Sequence, residues 1–526
     1  MRVTVENMLY DEQRGSLLIA GSHRLTGTLY AKVDGQRVKL ADSGRWHRRK
    51  KGKRPFCFLL ELTAAAHEVR FQLDTDKGTE DLDLLFDGPN ARLNSRFWAF
   101  HAKLGDLWAL SAPRSRALRI ALELPAWKLK LREAMMSWRL NQLRIEPKAK
   151  ARMRKLRKQY WADEKAGHRP IWLYYDKGYK GGDNGEYLFR YAAAQDDGID
   201  HRYIINSKTS YAKQLVADGL GDQILGQRQE ATLLAALEAE RIVVSHKNRF
   251  KYVGFTEDEA CFFTNLMDAK IATCFHGLNI PDVPRNVGQN ADNSTMTFIA
   301  SPYERTNLLL PENGFADVNL KLLGAPRFDG LVPGHQPFVL LSPTWRRYIV
   351  YGRTRSQVDE AFADTDYFKI FDSLINNRRL LDGLRERGMG LIYLLHPMVA
   401  SNKDAFGEVE GVEIVRGDVE ADFERLLSDA SVMVTDYSGV QFDFAYMRKP
   451  LLYYHREELP DHTPSPVFNY SRDGLGPILT DEESLVDAIL DAVDNGVKPK
   501  YRDRMDHFFA YDDQDSCARI YSALRG

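Results

Sequence analysis

The stretch VMVTDYSGVQFDFAYMRKPLLYY, residues 432–454, predicts a strand, a loop, a helix and a second strand in succession. Its apolar run Val432–Val434 is typical of a buried parallel strand, and the polar loop 435–439 follows the carboxyl end of that strand. Helical spacing of apolar residues comes next, and Pro450 ends the helix. Such a unit places a hydroxyl, a carboxylate and backbone N–H groups at a helix N-terminus, where phosphate binds readily. An ordinary βαβ unit with Ser438 as the helix N-cap explains the same pattern without a ligand.

Length and composition predict more than one domain and leave the partners open. The chain has 526 residues, which exceeds one typical domain, and its 73 Lys and Arg residues equal its 73 Asp and Glu residues. Its four cysteines have no CxxC spacing, which favours a reducing compartment and argues against a structural zinc site. The first residues lack the apolar core of a signal peptide, and no uncharged run approaches the roughly 20 residues of a membrane-spanning helix. We therefore expect a protein that is cytosolic or lies on a membrane without crossing it.

Residues 1–87 alternate apolar and polar side chains with the period of a β-strand. Short apolar runs such as Phe56–Leu62 are separated by turns such as Asp34-Gly35. This pattern predicts a small antiparallel β-sandwich. Because the segment has no cluster of catalytic residue types, we expect an accessory recognition or spacer domain and no second active site there.

Residues 88–165 are predicted to form a basic amphipathic helical segment. Tryptophans alternate with Leu, Ile and Met at roughly helical spacing, and only Glu133 and Glu146 oppose the basic residues between 127 and 160. A cationic helix with tryptophans suits an anionic membrane surface, so residues 98–160 are the expected membrane contact. The same composition suits a polyanionic polymer or nucleic acid, or a solvated linker helix packed on the next domain through its leucines. The residues concerned are Trp98, Trp108, Trp127, Lys128, Lys130, Arg132, Trp138, Arg139, Arg144, Lys148, Lys150, Arg152, Arg154, Lys155, Arg157, Lys158 and Trp161.

Residues 166–334 alternate buried strands with helices and predict a first parallel α/β domain. The glycine-rich loop DKGYKGGDN, residues 176–184, follows the first strand but contains no GxxxxGK[ST], which excludes a P-loop nucleotide site. His276 ends the strand Lys270–Phe275 with Gly277 behind it, a position from which the ring can face a cleft. A histidine there can act as a general base, and a structural histidine bonded to the backbone is the alternative.

Residues 335–526 predict a second α/β domain of the same kind, beyond the linker Pro333-Gly334-His335. Polar residues follow three of its predicted strands. They are Thr344 and Arg346, then His396, then Asp436 and Ser438. Because ligands of open α/β sheets bind at the carboxyl ends of the strands, we expect these side chains to meet at one edge. An arginine, a histidine and a helix N-terminus at one edge predict a diphosphate site.

Several short motifs occur along the chain in the order found in one enzyme family. They are His276-Gly277, GAPRFD (324–329), PTWR (343–346), His396-Pro397, TDYS (435–438) and FDF (442–444). Through them, residues 170–520 resemble the CDP-glycerol glycerophosphotransferases, the teichoic acid and capsule polymerases of the TagF-like type. The resemblance implies an α/β fold of the GT-B type, with two facing Rossmann-like domains, the active cleft between them and the last helix packed back on the first domain. It also implies a peripheral enzyme at the cytoplasmic face of the cell membrane, which favours the membrane interpretation of the basic segment and gives nucleic acid no role.

The resemblance further implies roles for individual residues. His276 would take the proton from the acceptor hydroxyl, and His396 would contact the donor diphosphate or assist the leaving group. The residues implied to hold the donor phosphates are Thr344, Arg346 and Ser438, with Gly439 in the same donor site. Asp436 and Asp443 are implied to orient the phosphate loop or to bind the nucleotide. The residues implied for the acceptor are Asn184, His246 and Arg327. The chain departs from the family pattern at Phe275, Leu278 and Gly439, which leaves the donor polyol and the acceptor open.

The reaction expected from these roles is attack by a polymer or lipid-linked hydroxyl on the β-phosphorus of a CDP-polyol. Glycerol phosphate is the expected group transferred, and CMP is released. Such a transfer depends on positioning and charge neutralisation. No carboxylate cluster with metal-ligand spacing occurs in the sequence, so no metal or other cofactor is predicted. The first alternative is a GT-B glycosyltransferase that uses a nucleotide sugar for cell-surface polysaccharide synthesis. The second is a non-catalytic protein that binds a polyanion or a membrane.

Overall fold

The structure is a computed structural model, and four β-sheets form the framework of the part of the chain that it describes. The described residues are 1–11, 16–40, 54–63, 66–86, 100–104, 107–111, 116–121, 134, 140–141, 145–246, 253–255, 259, 262–263, 266, 269–281, 294–310, 313, 315, 317–417, 423–461 and 464–526. Within these ranges, no helix combines the length and the apolar character that a membrane span requires. Part of the predicted membrane contact lies outside the described residues, namely Trp98, Trp127, Lys128, Lys130, Arg132, Trp138, Arg139 and Arg144.

Two β-sheets at the N-terminus pack around one apolar core. Their strands are β1 Arg2–Asp11, β2 Ser16–His23, β3 Thr28–Val33, β4 Gln36–Lys39, β5 Arg54–Glu61, β6 Ala66–Thr75, β7 Gly78–Asp81, β8 Asp83–Phe86, β9 Phe100–Leu104, β10 Leu107–Ser111 and β11 Ala117–Ala121. The first sheet has the order β5-β2-β1-β8, with β1 and β8 parallel, and the second has the order β4-β3-β6-β11-β10-β9, with β7 beside β6. One face of β6 buries Val69, Phe71 and Leu73, which share a core with Val5 and Ile19 of the first sheet.

Strands β9 to β11 lie inside the segment that the sequence assigned to helices. Residues 100–121 extend the second sheet through the antiparallel pairing of β11 with β6, so the predicted boundary at residue 87 and the helical assignment of these residues are wrong. The physical reason is length, because a strand of five residues is too short to distinguish a period of 2 from one of 3.6. In β11, Leu118 and Ile120 are buried whereas Arg119 is exposed, which is the period of a strand.

Helix α1, Pro147–Ala166, occupies the rest of that segment and packs on the first parallel sheet. Met153 and Leu156 are buried in the same core as that sheet, and the buried Arg157 donates from Nη1 to Phe262 O at 2.7 Å. The apolar face of α1 therefore contacts protein, as expected for a linker helix packed on the next domain. The exposed residues of α1 include Lys148, Arg154, Lys155, Lys158 and Trp161.

The first parallel sheet contains seven strands. They are β12 Ile171–Tyr175, β13 Asp200–Ile205, β14 Ile224–Gly226, β15 Ala239–Val244, β16 Lys270–Cys274, β17 Ser294–Ile299 and β18 Leu320–Leu322, with helices α2 Asn184–Ala193, α3 Ser210–Ala217, α4 Glu230–Glu238 and α5 Pro302–Leu308 and 3-10 helices Gly221–Gln223, Asp317–Asn319 and Pro326–Gly330. The strand order is β14-β13-β12-β15-β16-β17-β18, the doubly wound order of Rossmann folds. The central strand β12, IWLYY, is buried along its whole length because both faces of the sheet are covered.

The second parallel sheet repeats this topology with six strands. They are β19 Gln336–Leu341, β20 Gly390–Leu395, β21 Val412–Arg416, β22 Ala430–Thr435, β23 Leu451–Tyr454 and β24 Ile478–Leu479, with helices α6 Arg347–Val350, α7 Arg355–Ala361, α8 Asp366–Ile375, α9 Arg378–Glu386, α10 Phe423–Asp429, α11 Val440–Tyr446, α12 Tyr470–Asp473, α13 Glu482–Asn495, α14 Pro499–Phe508 and α15 Ser516–Arg525 and 3-10 helices Phe362–Asp364 and Ala400–Phe406. The strand order is β21-β20-β19-β22-β23-β24. The predicted α/β class with parallel sheets is therefore confirmed.

The two parallel α/β units, called here the first lobe (166–334) and the second lobe (335–515), contact each other directly. Tyr303 Oη donates to Asp473 at 3.2 Å across this contact. The last helix, α15, returns to the first lobe, where Asp329 accepts the N–H groups of Ser516 and Cys517 at 2.9 and 2.7 Å. Gly324 adopts φ +100°, and a Cβ there would lie 2.3 Å from Ser516 Oγ, so glycine is required for this close approach.

Candidate active site

Three adjacent strands bring polar residues to the carboxyl edge of the first sheet. Asp176 follows β12, Ser245 and His246 follow β15, and His276 stands just beyond β16. The His276 N–H donates to Ser245 O at 3.0 Å, which joins the chain after β16 to the chain after β15. The rings of His246 and His276 lie with their centroids 4.9 Å apart. The first lobe therefore has a histidine-rich edge where open α/β sheets bind ligands.

A carboxylate holds the ring of His276. Asp183 is the N-cap of α2, and its Oδ1 accepts from the Asn184 N–H at 2.8 Å while its Oδ2 contacts His276 Nδ1. Because a carboxylate is an acceptor, this bond places the proton of a neutral ring on Nδ1 and makes Nε2 the basic nitrogen. Burial would raise the pKa of Asp183, but the charge and hydrogen bond of His276, together with Arg327, lower it. A buried carboxylate thus orients an imidazole whose side chain is 57% exposed, which is the arrangement of a general base.

Asp176 is a second buried carboxyl that supports this pair. It accepts hydrogen bonds from the N–H groups of Gly185 and Glu186 at 2.8 and 2.9 Å and from Tyr203 Oη at 2.8 Å. Burial, reinforced by the nearby charge of Asp183, raises the pKa of Asp176 to about 7. These bonds tie the end of β12 to the first turn of α2, the helix that Asp183 caps.

Lys177 and His246 flank the imidazole of His276. Lys177 Nζ lies 3.3 Å from His276 Nε2, and burial lowers the pKa of this lysine. Burial and the charges of His276 and Lys177 lower the pKa of His246 to about 4, so the His246 ring is neutral at pH 7. His246 is therefore a neutral neighbour of His276, and its acceptor-binding role stays a prediction.

Arg327 connects His276 to the second lobe. Its Nη1 donates to His276 O at 2.7 Å, and its Nε and Nη2 donate to the two carboxylate oxygens of Asp443 at 2.6 and 3.2 Å. Asp443 lies in the first turn of α11, directly after the loop 435–439. One guanidinium therefore spans the distance between the histidine and the start of α11, and the predicted base and the predicted phosphate loop belong to one interlobe region.

Three of the predicted ligand-binding residues are engaged with protein in this bridge. Asn184 is buried, donates from Nδ2 to Phe275 O at 2.7 Å and accepts the Arg327 N–H at 3.0 Å. Arg327 and Asp443 are paired with each other. The structure thus gives Asn184, Arg327 and Asp443 a joining function, whereas their direct contacts with an acceptor or a nucleotide remain predictions.

Asp436 joins the two loops of the second lobe that the sequence assigned to phosphate. Its Oδ1 accepts the N–H groups of Thr344 and Tyr437 at 2.8 and 2.6 Å, and its Oδ2 accepts Arg346 Nη2 at 2.7 Å. The loop after β19 is thereby fixed against the loop after β22. Of the two roles predicted for Asp436, the observed bonds fit that of orienting the phosphate loop.

Arg346 is buried, whereas the predicted contact with phosphate requires an accessible guanidinium. Its side chain is 1% exposed, and besides Asp436 it donates to Thr344 O at 2.5 Å and to Leu459 O at 2.9 Å. Burial would lower the pKa of Arg346, but the charge and hydrogen bond of Asp436 raise it. The prediction that Arg346 contacts phosphate directly does not fit this position, because protein encloses the guanidinium. Arg346 joins the two loops through its hydrogen bonds.

Other positions in these loops lack a protein partner or neighbour. The hydroxyl of Thr344 is buried and has no hydrogen-bond partner among the described residues. A buried hydroxyl without a partner is costly, so this position favours an added acceptor or donor. A Cβ built on Gly277 or on Gly439 would meet nothing within 4 Å, so open space lies beside the histidine and beside the start of α11. Ser438 stands next to that space and remains a candidate phosphate ligand.

His396 lies at the end of β20 in the same lobe. Its Nδ1 accepts the Met398 N–H at 3.2 Å, which places the proton of the neutral ring on Nε2. The indole of Trp345 lies beside it, with ring centroids 6.0 Å apart. His396 can therefore donate a hydrogen bond to an anionic ligand or leaving group.

Sequence reasoning missed three participants. Lys177 belongs to the glycine-rich loop 176–184, for which the sequence predicts no ligand, and nothing in the sequence pairs Asp183 with His276. His455 follows β23, stacks on Tyr437 at 4.2 Å and lies with Nε2 3.1 Å from Asp436 O, while burial lowers its pKa. Lys177 and His455 follow buried strands, so the strand-end rule used for His276 would have found them. Asp183 precedes α2 and follows the rule for helix N-caps.

Comparison with known proteins places the chain in one group. A sequence model of the CDP-Glycerol:Poly(glycerophosphate) glycerophosphotransferase family matches residues 161–525. The minor teichoic acid biosynthesis protein GgaB of Bacillus subtilis (strain 168) is 27% identical over 363 residues, which are 68% of this chain and 40% of that protein. The teichoic acid poly(glycerol phosphate) polymerase of the same strain is 27% identical over 195 residues, which are 37% of this chain and 23% of the polymerase. The chain thus spans less than half the length of these two relatives.

A solved structure of the wall teichoic acid polymerase TagF has a similar fold. It superimposes with a TM-score of 0.50 and 16% identity, over 76% of this chain and 97% of the TagF chain. Because the identity is only 16%, this likeness is evidence for the fold alone.

Proposed function

We propose, since the chain belongs to the CDP-Glycerol:Poly(glycerophosphate) glycerophosphotransferase family, that it transfers a polyol phosphate from a CDP-activated donor to a hydroxyl of a teichoic-acid-like or capsular polymer and releases CMP. Glycerol phosphate is the preferred group. The observation that carries the proposal is the Asp183–His276 pair, which Arg327 connects to the first turn of α11. A general base and a phosphate loop in one interlobe region are the two parts that such a transfer requires.

The architecture that fits this activity is of the GT-B type, preceded by an accessory β domain. Two sheets with the doubly wound strand order, joined by the returning helix α15, support it. In this arrangement the first lobe binds the acceptor and the second lobe binds the CDP-polyol.

His276 Nε2 takes the proton of the acceptor hydroxyl as the hydroxyl oxygen forms a bond to the β-phosphorus. The bond from the β-phosphorus to the bridging oxygen breaks, and its electron pair leaves on that oxygen as part of CMP. The products are a new phosphodiester, CMP and a proton on His276. Asp183 stabilises the imidazolium that forms, because its carboxylate accepts the Nδ1–H.

The second lobe holds the donor through neutral groups and backbone N–H groups. Thr344 Oγ1 has no partner among the described residues and borders the loop 435–439, so we assign it to a phosphate oxygen. Ser438 and Gly439 lie at the start of α11, where backbone N–H groups bind anions, and His396 donates to the leaving phosphate. Arg346 and Asp436 keep these loops in place.

The donor distinguishes this function from sugar transfer. The chain is incubated with a polymeric or lipid-linked acceptor and with CDP-glycerol, CDP-ribitol or UDP-sugars, and the released nucleotide is identified. We expect CMP from a CDP-polyol, and we expect EDTA to leave the rate unchanged because no metal ion has a role in this mechanism. Release of UDP from a UDP-sugar, with no CMP from either CDP-polyol, would assign the chain to the glycosyltransferases.

We also propose that the enzyme works as a peripheral protein at the cytoplasmic face of the membrane. The exposed residues Lys148, Arg154, Lys158 and Trp161 of α1 support a contact with anionic lipid. We expect the protein to sediment with vesicles that contain phosphatidylglycerol and to remain in solution with vesicles of phosphatidylcholine alone. If the protein sedimented with neither kind of vesicle, the proposed contact with the membrane would be contradicted.

A further inference from the structure

Arg346, which was predicted to hold the donor phosphates, and Arg327, which was predicted to bind the acceptor, are both paired with carboxylates in the fold. Arg346 is enclosed with Asp436, and Arg327 is bonded to Asp443 and to His276 O. His246 is neutral at pH 7. Charge on a transferred phosphoryl group must nevertheless be offset, because phosphoryl transfer depends chiefly on positioning and electrostatic stabilisation. Another cation is therefore needed beside the base.

Lys177 is a cation in the required place. Its Nζ lies 3.3 Å from His276 Nε2, the nitrogen that must meet the attacking hydroxyl. A hydroxyl bound to Nε2 at about 2.8 Å has the phosphorus about 3.3 Å further on, so an ammonium beside Nε2 lies next to both reacting groups.

The ammonium of Lys177 is half-buried without a direct counter-ion. None of the salt bridges among the described residues includes it, since Asp183 is bonded to His276 and Asp176 to backbone N–H groups and Tyr203. Burial lowers the pKa of Lys177, and the charges of Asp183 and Asp176 offset this shift only in part. A half-buried cation of this kind is stabilised by an anionic ligand.

Two backbone hydrogen bonds hold the loop that carries Lys177. Gly178 O accepts the Asn206 N–H at 2.9 Å, and Lys177 O accepts the Lys180 N–H at 2.9 Å. The loop therefore presents the ammonium from a defined position, as a preorganised electrostatic group requires.

We propose that Lys177 is a catalytic residue whose ammonium binds a non-bridging oxygen of the phosphoryl group that is transferred past His276. This assignment rests on the proposed function and adds to it a phosphate ligand in the first lobe. As the acceptor oxygen bonds to phosphorus, His276 Nε2 receives the hydroxyl proton and the electron pair of the broken bond leaves with CMP. Lys177 keeps its protons throughout and moves from Nε2 to the phosphoryl oxygen when the hydroxyl takes its place.

The test compares Lys177→Met with Lys208→Met, a matched change in an exposed turn after the neighbouring strand β13. Turnover with CDP-glycerol, the affinities for CDP-glycerol and for CMP by calorimetry, and the KM for the acceptor are measured for both. We expect Lys177→Met to lower kcat about 100-fold and to weaken CDP-glycerol binding, with CMP binding unchanged because CMP lacks the transferred phosphoryl group. Lys208→Met stays near wild type. Ethylammonium is expected to restore part of the activity of Lys177→Ala.

Each other result would count against the assignment. A kcat of Lys177→Met within about threefold of wild type, or a defect confined to the KM of the acceptor, would overturn it. Equal losses of CMP and CDP-glycerol affinity would show a structural role in its place. A wild-type chain that neither binds CDP-glycerol nor releases CMP would overturn the proposed function itself, and that result is read from the wild type before any variant is compared.

Discussion

Turnover is expected to fall about 1,000-fold when His276 is replaced by alanine, while the affinity for CMP stays within about threefold of the wild-type value. The reason is geometric, because Nε2 is the nitrogen that removes the acceptor proton, whereas the CMP part of the donor is held by the other lobe. The measurements are steady-state CMP release and calorimetric binding of CMP. The variant His507→Ala, which changes an exposed histidine on α14, is the control and should retain full activity.

Asp183→Asn removes the charge of the carboxylate and keeps the side-chain oxygen that caps α2. Asparagine is as good an N-cap as aspartate, so α2 should stay stable, whereas the charge that supports the imidazolium is lost. We expect a smaller loss of kcat than in His276→Ala, and a double variant no worse than His276→Ala alone because the two residues act as a unit. If the two single losses of kcat multiplied in the double variant, the pairing would be contradicted. If either variant lost affinity for CMP, the residue would not act only as a base or as its partner.

Arg346→Met is expected to destabilise the second lobe by about 3–5 kcal/mol, because it leaves the carboxylate of Asp436 buried without its counter-ion. CMP affinity should fall as well, since the loops that Asp436 joins lose their support. Chemical denaturation and calorimetry provide the two values. Arg347→Met, a change of the exposed neighbour, should alter stability by less than about 0.5 kcal/mol.

The double variant Arg346→Met/Asp436→Asn gives a second check of this ion pair. Removal of the charge of Asp436 should recover part of the stability, because the cost of Arg346→Met lies mainly in the unpaired carboxylate. If Arg346 bound phosphate directly, its replacement would lower the affinity for CMP and CDP-glycerol without lowering stability. That combination would contradict the buried position.

The parallel strands could be predicted well because each is a continuous apolar run. The strand predicted over Lys270–Phe275 is observed as Lys270–Cys274, and β22 begins at Ala430 in place of Val432. Burial on both faces leaves no alternation to interpret, and the following helix fixes the end of each run. Strands 100–121 could not be found in this way, because their short, mixed sequences fit a helix and a strand equally well.

The site was predicted in its strand-end positions but less well in its pairings. His276 and Asp436 stand at the ends of their strands as expected. The partner of Arg346 is separated from it by 90 positions in the sequence, and nothing local indicates that this arginine is enclosed. The same holds for Arg327 and Asp443, which are 116 positions apart. The first pairing depends on how two loops of the second lobe pack together, and the second depends on how the two lobes meet. A single sequence encodes neither locally.

The most direct measurement of the central claim is a crystal structure of the chain with a CDP-glycerol analogue whose bridging oxygen is replaced by a methylene group. The account predicts that the β-phosphorus lies about 6 Å from His276 Nε2, the distance that leaves room for one hydroxyl, with its oxygens near Thr344 and Lys177. A diphosphate bound far from His276, or one bound by a single lobe with the imidazole turned away, would contradict it.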